Sequence, residues 1–501
     1  MASVRAHSAS AGKSLAWLYH ESGMSSVFDT GRDAWLVILA RSSRMFAFGA
    51  VSLIIALFFA ELGFTDPQIG VFMTLTLLGD VVLGLVITLM ADSIGRRRVL
   101  FAGGLLMVLS GAVFYYFENF WILLLAAIVG VVSANGSDVG PFRAIEESML
   151  SHLTTPKSRA DVLSWYVVNS SLGSAAGTEF SGRFIEAMRS RDAWDLRAAY
   201  HAAFWIYIAM GAANMLFAFG MSSRCEIAKP SPDAATEAAQ GLLHDQEQDD
   251  DDDDDDDDRP AAAQPKATKS RFSSVSSATR SIMYKLWFLL AFDSLADGMV
   301  SHTLTNYYLD RKFHMAKSTL GDIISTSHIL ATISALFAGP LARHIGLVNT
   351  MVFTHLPSSA AVLLFPIPSG VVLTIILLFI RHGLNNMDQA PRAAFIAAVV
   401  KPEERTAVMG ITSTMRTLAS TIGPTLTGAL AGSDYFWVAF VVAGTLRILY
   451  DLGLWAMFIN MKLHSHETAP QNPEEARESV DEPAELPTLE EHGEARRRED
   501  V

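Results

Sequence analysis

The stretch that decides the fold is Ala91-Asp92-Ser93-Ile94-Gly95-Arg96-Arg97-Arg98. It stands between two apolar runs, 68–90 and 99–117, and leaves no room for a loop. A chain that reverses within so few residues needs a glycine at the corner, and Gly95 supplies it. Asp92 closes the first run, where a carboxylate can pair with a cation or accept from a neighbouring helix N-terminus. Three arginines beside apolar runs of about twenty residues mark the cytoplasmic side of a membrane.

Outward from this turn the same pattern recurs. Twelve apolar runs lie between Arg44 and Met461, six on each side of a polar segment. They are 44–62, 68–90, 99–117, 120–150, 160–182 and 199–221, then 284–307, 318–341, 348–366, 370–400, 407–431 and 435–460. Half of the 501 residues are hydrophobic, only 18% are charged, and the mean hydropathy is +0.29. A soluble domain carries about a quarter charged residues. The composition excludes a cytosolic enzyme, a nucleic-acid binder and a disulfide-stapled secreted domain, and the one cysteine, Cys225, can form no internal bridge.

The net charge of −14 is local. Most of it lies in the central segment and the C-terminal tail, and ten consecutive aspartates, Asp249 to Asp258, dominate the former. Such segments have no apolar face to bury, so disorder is expected there. The expected organisation is a polar cytoplasmic segment 1–33, a six-helix bundle 34–221, an acidic cytoplasmic loop 222–281, a second six-helix bundle 282–461 and an acidic tail 462–501. The start shows no charged stretch followed by an apolar one, so a cleavable signal peptide is not expected. Lys157 and Arg159 after the fourth run, and Lys401 and Arg405 after the tenth, agree with Arg96–Arg98 in placing both termini in the cytoplasm. The basic residues after the fifth and seventh runs disagree.

The halves repeat one another. Thr88-Leu-Met-Ala-Asp92-Ser-Ile-Gly95 matches Gly339-Pro-Leu-Ala-Arg343-His-Ile-Gly346, and Asp138-Val-Gly-Pro141-Phe-Arg143 matches Asp388-Gln-Ala-Pro391-Arg392. Pro156-Lys-Ser-Arg159 matches Pro402-Glu-Glu-Arg405, and Gly177 and Gly182 match Gly423 and Gly428. Parallel repeats of six helices characterise one large transporter class. The quoted stretch resembles the loop 2–3 signature of the major facilitator superfamily, Gly-x-x-x-Asp-Arg-x-Gly-Arg-Arg, with Thr88 in place of the leading glycine and Ser93 in place of the first arginine. The resemblance spans about Arg32 to Met461. It implies an all-α integral membrane fold of twelve helices in two parallel repeats, a central cavity and alternating access. It also implies a cytoplasmic gate in which Asp92, Gly95, Arg96 and Arg97 meet the start of the eleventh helix near Arg405.

Candidate site residues are polar groups placed where charge is costly. In the fourth span these are Asp138, Arg143, Glu146 and Glu147, with Glu146 and Glu147 toward the cytoplasmic gate, where Arg96 or Arg159 would pair with them. In the tenth they are Asn385, Asn386, Asp388 and Arg392. Asp80 stands at the middle of the second span, where an isolated carboxylate can hold a proton near neutrality, and Asp293 lies in the seventh. Asp80, Asp138, Arg143, Asp293, Asn385, Asn386, Asp388 and Arg392 form the expected substrate and proton-coupling set. Structural pairing is the competing reading for each charged member, and helix bridging for the two amides. No pattern for a metal, a cofactor, a nucleophile triad or a phosphate-cradling loop is found, so neither catalysis nor a cofactor is expected. The expected function is proton-coupled efflux of a small organic solute by a monomer in the lipid bilayer of the plasma membrane. Proton-coupled nutrient uptake, or a non-transporting sensor or scaffold, is the alternative.

Overall fold

The computed structural model describes residues 24–130, 132, 141–155, 158–190, 194–226, 277–400 and 404–458. The secondary structure of these residues is helical. After a short α1 (Met24–Thr30), the first half comprises α2 (Arg32–Glu61), α3 (Asp66–Ile94), α4 (Arg96–Tyr116), α5 (Phe120–Val129), α6 (Pro141–Leu153), α7 (Arg159–Arg189) and α8 (Leu196–Gly220). The second comprises α9 (Ser277–Met299), α10 (His302–Phe313), α11 (Lys317–Ala335), α12 (Ala338–Ile345), α13 (Leu347–Leu364), α14 (Val371–Asn385), α15 (Gln389–Val399), α16 (Arg405–Gly432) and α17 (Phe436–Phe458). A 3₁₀ turn, Asn386–Asp388, joins α14 to α15.

Six of the described helices, and α14 continued through the 3₁₀ turn into α15, are each long and apolar enough to cross a bilayer, and α11 with α12, bent by 43°, makes an eighth. The remaining spans are interrupted or polar inside. The seventh breaks at Val300–Ser301, and α7 and α16 carry charged and hydroxyl side chains along their length. Trp121, Leu216, Phe219, Ile367 and Val372 are each more than two-thirds exposed. In water such a surface would aggregate; in a membrane it faces lipid. The first span starts at Arg32, twelve residues before its apolar run, because Asp33, Arg41 and Arg44 find polar partners inside the protein.

Gly95 and Gly346 occupy equivalent corners, with φ of 106° and 88°. Each ends one helix and starts the next without an intervening residue, a backbone state that a side chain would strain. We call the end of the bundle bearing these two turns the motif end. Within the first half α2 packs on α7 and α8, and α4 on α8; within the second α9 packs on α16 and α17, and α13 on α17. The halves meet through α7 with α11, α3 with α16 and α2 with α10.

Two glycine crossings make the first two junctions possible. A Cβ on Gly428 would lie 2.9 Å from the Cα of Gly70, and one on Gly182 would lie 3.1 Å from the Cα of Gly321. Such close approach maximises dispersion contact between helices in lipid, where no hydrophobic force joins them. Both crossings lie far from the Gly95 and Gly346 turns. Gly173 and Gly177 instead pack against Ser42 and Phe46 of α2 within the first half.

Candidate functional site

Each half encloses a polar centre. In the first, Glu146 of α6 is fully buried. One carboxylate oxygen lies 2.9 Å from the Arg44 guanidinium and the other accepts from Tyr166 Oη at 2.8 Å. Arg44 also donates to Asn214 Oδ1 at 3.3 Å and stacks over the Phe142 ring, while Arg41 lies over Tyr166. This centre ties the first, fourth, fifth and sixth spans together. Glu146 therefore pairs with Arg44 rather than with Arg96 or Arg159. Arg159 donates to the Ser151 carbonyl, and Glu147 pairs with Arg143 at 2.7 Å on the partly exposed face of α6.

The second centre is larger. Asp293 of α9 is buried, with Oδ1 3.6 Å from His355 Nε2 and Oδ2 3.7 Å from Arg392. Arg392 also bonds Asp388, one turn earlier. Arg447 of α17 donates to Asp297 at 2.7 Å and to Asn385, and its NH2 lies 2.6 Å from His355 Nε2. His355 Nδ1 is 2.7 Å from Asp451, whose second oxygen accepts from Ser359. Arg416 of α16 donates to Ser294. Burying this many charges is tolerable only because nearly every one meets an opposite charge or a hydrogen bond.

Of the sequence-predicted residues, Asp293, Asn385, Asp388 and Arg392 thus come together, whereas Asn386 lies apart and accepts from Gln389. Asp80 sits alone on α3, half-buried, with Oδ1 shielded and unbonded. Asp138 lies outside the described residues. Arg447, Asp451 and Arg416 went unrecognised in the sequence. The signal was present: Arg447 and Asp451 stand one turn apart in the middle of an otherwise apolar span.

At the motif end, Glu226 caps the Arg96–Arg98 turn. Its carboxylate accepts from the backbone N–H groups of Arg96 at 2.7 Å and Arg97 at 3.1 Å, at the positive end of α4. The side chains of Asp92 and Arg405 lie outside the described residues. A pocket of about 510 Å³ opens beside this turn, but every wall, including Ser93, Phe101 and Phe219, belongs to the first half or to Glu226, so it is not a cleft between halves.

At the opposite end the halves are pinned by polar contacts. Asp66 accepts from Tyr307 Oη at 2.6 Å and bonds Arg311, and Arg183 reaches Asp322 at 2.9 Å. Thr74 bonds both Thr421 and Thr425 of α16, and Asn306 donates to the Ser52 carbonyl.

The major facilitator superfamily model matches residues 37–279 and 286–498. An uncharacterized membrane protein of Saccharomyces cerevisiae is 31% identical over 435 residues, which cover 86% of this chain and 95% of that protein. Among solved structures, the nucleoside transporter NupG superposes with a TM-score of 0.61 at 13% identity, covering 86% of this chain and all of that one. The Escherichia coli xylose transporter XylE, in an inward-open conformation, gives 0.60 at 12% identity, covering 89% of this chain and 98% of that one. A peptide transporter gives 0.62 at 12% identity, covering 84% and 93%. The helical repeat of the described residues and the matching family model converge: the chain belongs to the major facilitator superfamily and is a membrane transporter of small molecules, not an enzyme.

Proposed function

We propose that the protein is a proton-coupled exporter of a small organic solute, acting as a monomer in the plasma membrane with both termini and the acidic loop in the cytoplasm. The observation that carries the mechanism is the one-sided pinning of the halves. Among the described residues, their glycine crossings and bridging hydrogen bonds gather away from the motif turns. With the Arg96–Arg98 turn on the cytoplasmic side, the pinned end is the outer one, and in this reading the halves part toward the cytoplasm. That is the state in which an exporter loads. The solute binds between the halves against the first, fourth, seventh and tenth spans, and rocking of the halves carries it across.

Coupling to protons is supported by the ionisable groups held away from bulk water. Asp80 and the Asp293–Asp388–Arg392 set change their interactions when a proton is gained or lost. Asp92, Gly95, Arg96, Arg97 and Arg405 form the cytoplasmic gate in this reading, with Glu146, Glu147 and Arg159 behind it.

The test is untargeted mass spectrometry of cells and medium from a deletion strain, an overexpressing strain and one expressing Asp80→Asn. A compound that builds up inside the deletion strain and outside the overexpressor supports export, and its flux should fall when a protonophore collapses the gradient. The opposite distribution means uptake. Asp80→Asn is expected to lose gradient-driven flux while keeping exchange, and normal pH-driven flux in that variant rules Asp80 out.

A further inference from the structure

His355 lies in the middle of α13, buried, in the ninth span, away from the spans expected to line the cavity. Its two ring nitrogens have opposite surroundings. Nδ1 is 2.7 Å from the Asp451 carboxylate, which only accepts, so Nδ1 carries the hydrogen. Nε2 is 2.6 Å from Arg447 NH2, which only donates, so Nε2 presents its lone pair. The arrangement therefore fixes a neutral imidazole with a defined tautomer.

On the same side as Nε2 waits a second acceptor. Asp293 Oδ1 lies 3.6 Å from Nε2 and is buried without a hydrogen-bond partner. A buried carboxylate oxygen left without a donor is costly, and an N–H on Nε2 would satisfy it. The same N–H would face Arg447 donor to donor. The pocket thus has two self-consistent arrangements, and the difference between them is one proton.

The remaining charged groups do not offer this alternative. Asp451 has both oxygens engaged, by His355 and Ser359. Asp388 is bound to Arg392, and Asp297 to Arg447. Asp293 itself lies between the imidazole and Arg392. Arg416 from α16 points to Ser294, and Arg381 from α14 is spent on Thr305 and the Val300 carbonyl at the break of the seventh span. The Tyr450 ring packs edge-on against the imidazole.

We propose that His355 is the proton-accepting group of the second half, with Arg447 and Asp293 as the two partners between which its Nε2 switches. This rests on the proton-coupled reading above and assigns the proton a site outside the expected set. A proton from water adds to the Nε2 lone pair, forming an N–H bond and an imidazolium. That N–H donates to Asp293 Oδ1, and Arg447 loses its imidazole acceptor. Release on the other side returns the proton to water and restores the Arg447 contact. Arg447 ties α17 to α9 through Asp297 and to α14 through Asn385, so a shift of its guanidinium away from the N–H on Nε2 is passed to the seventh and tenth spans together. The seventh continues into α10, whose Tyr307 and Arg311 hold the latch to Asp66.

The experiment is double electron–electron resonance on the full-length protein in nanodiscs, titrated from about pH 8 to about pH 5, a window that brackets a reference imidazole. Spin labels go on Tyr116→Cys and Val372→Cys, exposed residues at the latched end of the two halves. The native Cys225 is buried and burial pushes its thiol up to about 12, so it resists labelling. The parent is expected to show a distance change across the titration, and His355→Gln to show none. A change that persists in His355→Gln overturns this inference while leaving proton coupling intact; a parent that does not respond overturns both. Should His355→Gln fail to fold, Arg447→Gln decides. Removing the cation opposite Nε2 is expected to move the midpoint to higher pH, and an unmoved midpoint overturns the proposal.

Discussion

The two polar centres occupy equivalent halves of a repeated backbone yet hold charge in different ways. In the first half, one buried carboxylate meets Arg44 with one oxygen and Tyr166 with the other. In the second, four aspartates, two arginines and a histidine form a chain across α9, α13, α15 and α17, and Asp293 Oδ1 and Arg447 Nε remain without hydrogen bonds. A carboxylate with a single cationic partner resists change, because every alternative leaves a buried charge uncompensated. A chain in which Asp293, His355 and Arg447 each touch more than one partner can redistribute bonds when a proton arrives. Duplication supplied the same scaffold twice, but the linked network of charges stands in the second copy, while the first has its single pair and Asp80 apart from it.

The sharpest way to break this comparison is Arg447→Met. It leaves Asp297, Asn385 and His355 short of a donor at once. Removing one partner of a buried pair costs about 3–5 kcal/mol. Thermal unfolding of the purified protein in detergent should show the largest loss of any single change here. Glu146→Gln is expected to cost less, about 1–3 kcal/mol, because the amide keeps a bond to Tyr166 and Arg44 retains Asn214 and the Phe142 face. If the two variants prove equally damaging, the first centre is as poised as the second and the contrast fails.

A third prediction concerns the scaffold that both halves share. A side chain at Gly428 would meet the backbone of Gly70 at 2.9 Å, so Gly428→Val must push α3 and α16 apart. The latched end should open. Cysteine accessibility there is expected to rise several-fold, at about 1–3 kcal/mol of lost packing. Unchanged accessibility would mean that the crossing is incidental to how the halves meet.

The fold was legible because it rests on features that a sequence displays directly. The Gly95 corner, its counterpart Gly346 and the paired glycines of the fifth and eleventh spans are all local, and each appears in the structure at a turn or a crossing. The sites were legible only in part. Asp293, Asp388 and Arg392 stood out as charges inside apolar runs, and they do meet. Which partner each charge takes depends on the rotation of helices far apart in the chain, and spacing cannot supply that. Glu146 meets Arg44 across about a hundred residues of sequence. Arg447 and Asp451 carry the same warning in the twelfth span, because an i, i+4 charge pair in mid-span marks a costly site wherever it occurs.

The smallest expected effect belongs to the latch at the rim. Asp66 accepts from Tyr307 and Arg311 at once, and Arg311 reaches on to Asp434. These groups are partly exposed, with 40% of the Arg311 side chain open to its surroundings, so water weakens the attraction. Asp66→Asn keeps a Tyr307 bond and removes the charge. The change should cost about 0.5–1 kcal/mol, which shifts the balance between latched and unlatched states by a factor of about five at most. Arg311→Gln should act alike, and the double variant should add little, because both remove one shared interaction. Label distances across the same end measure all three. Additive effects would mean that the two residues hold the halves independently. A shift far above five-fold would place the latch, rather than the buried centre of the second half, in control of the cycle. The halves would then differ in decoration and not in function.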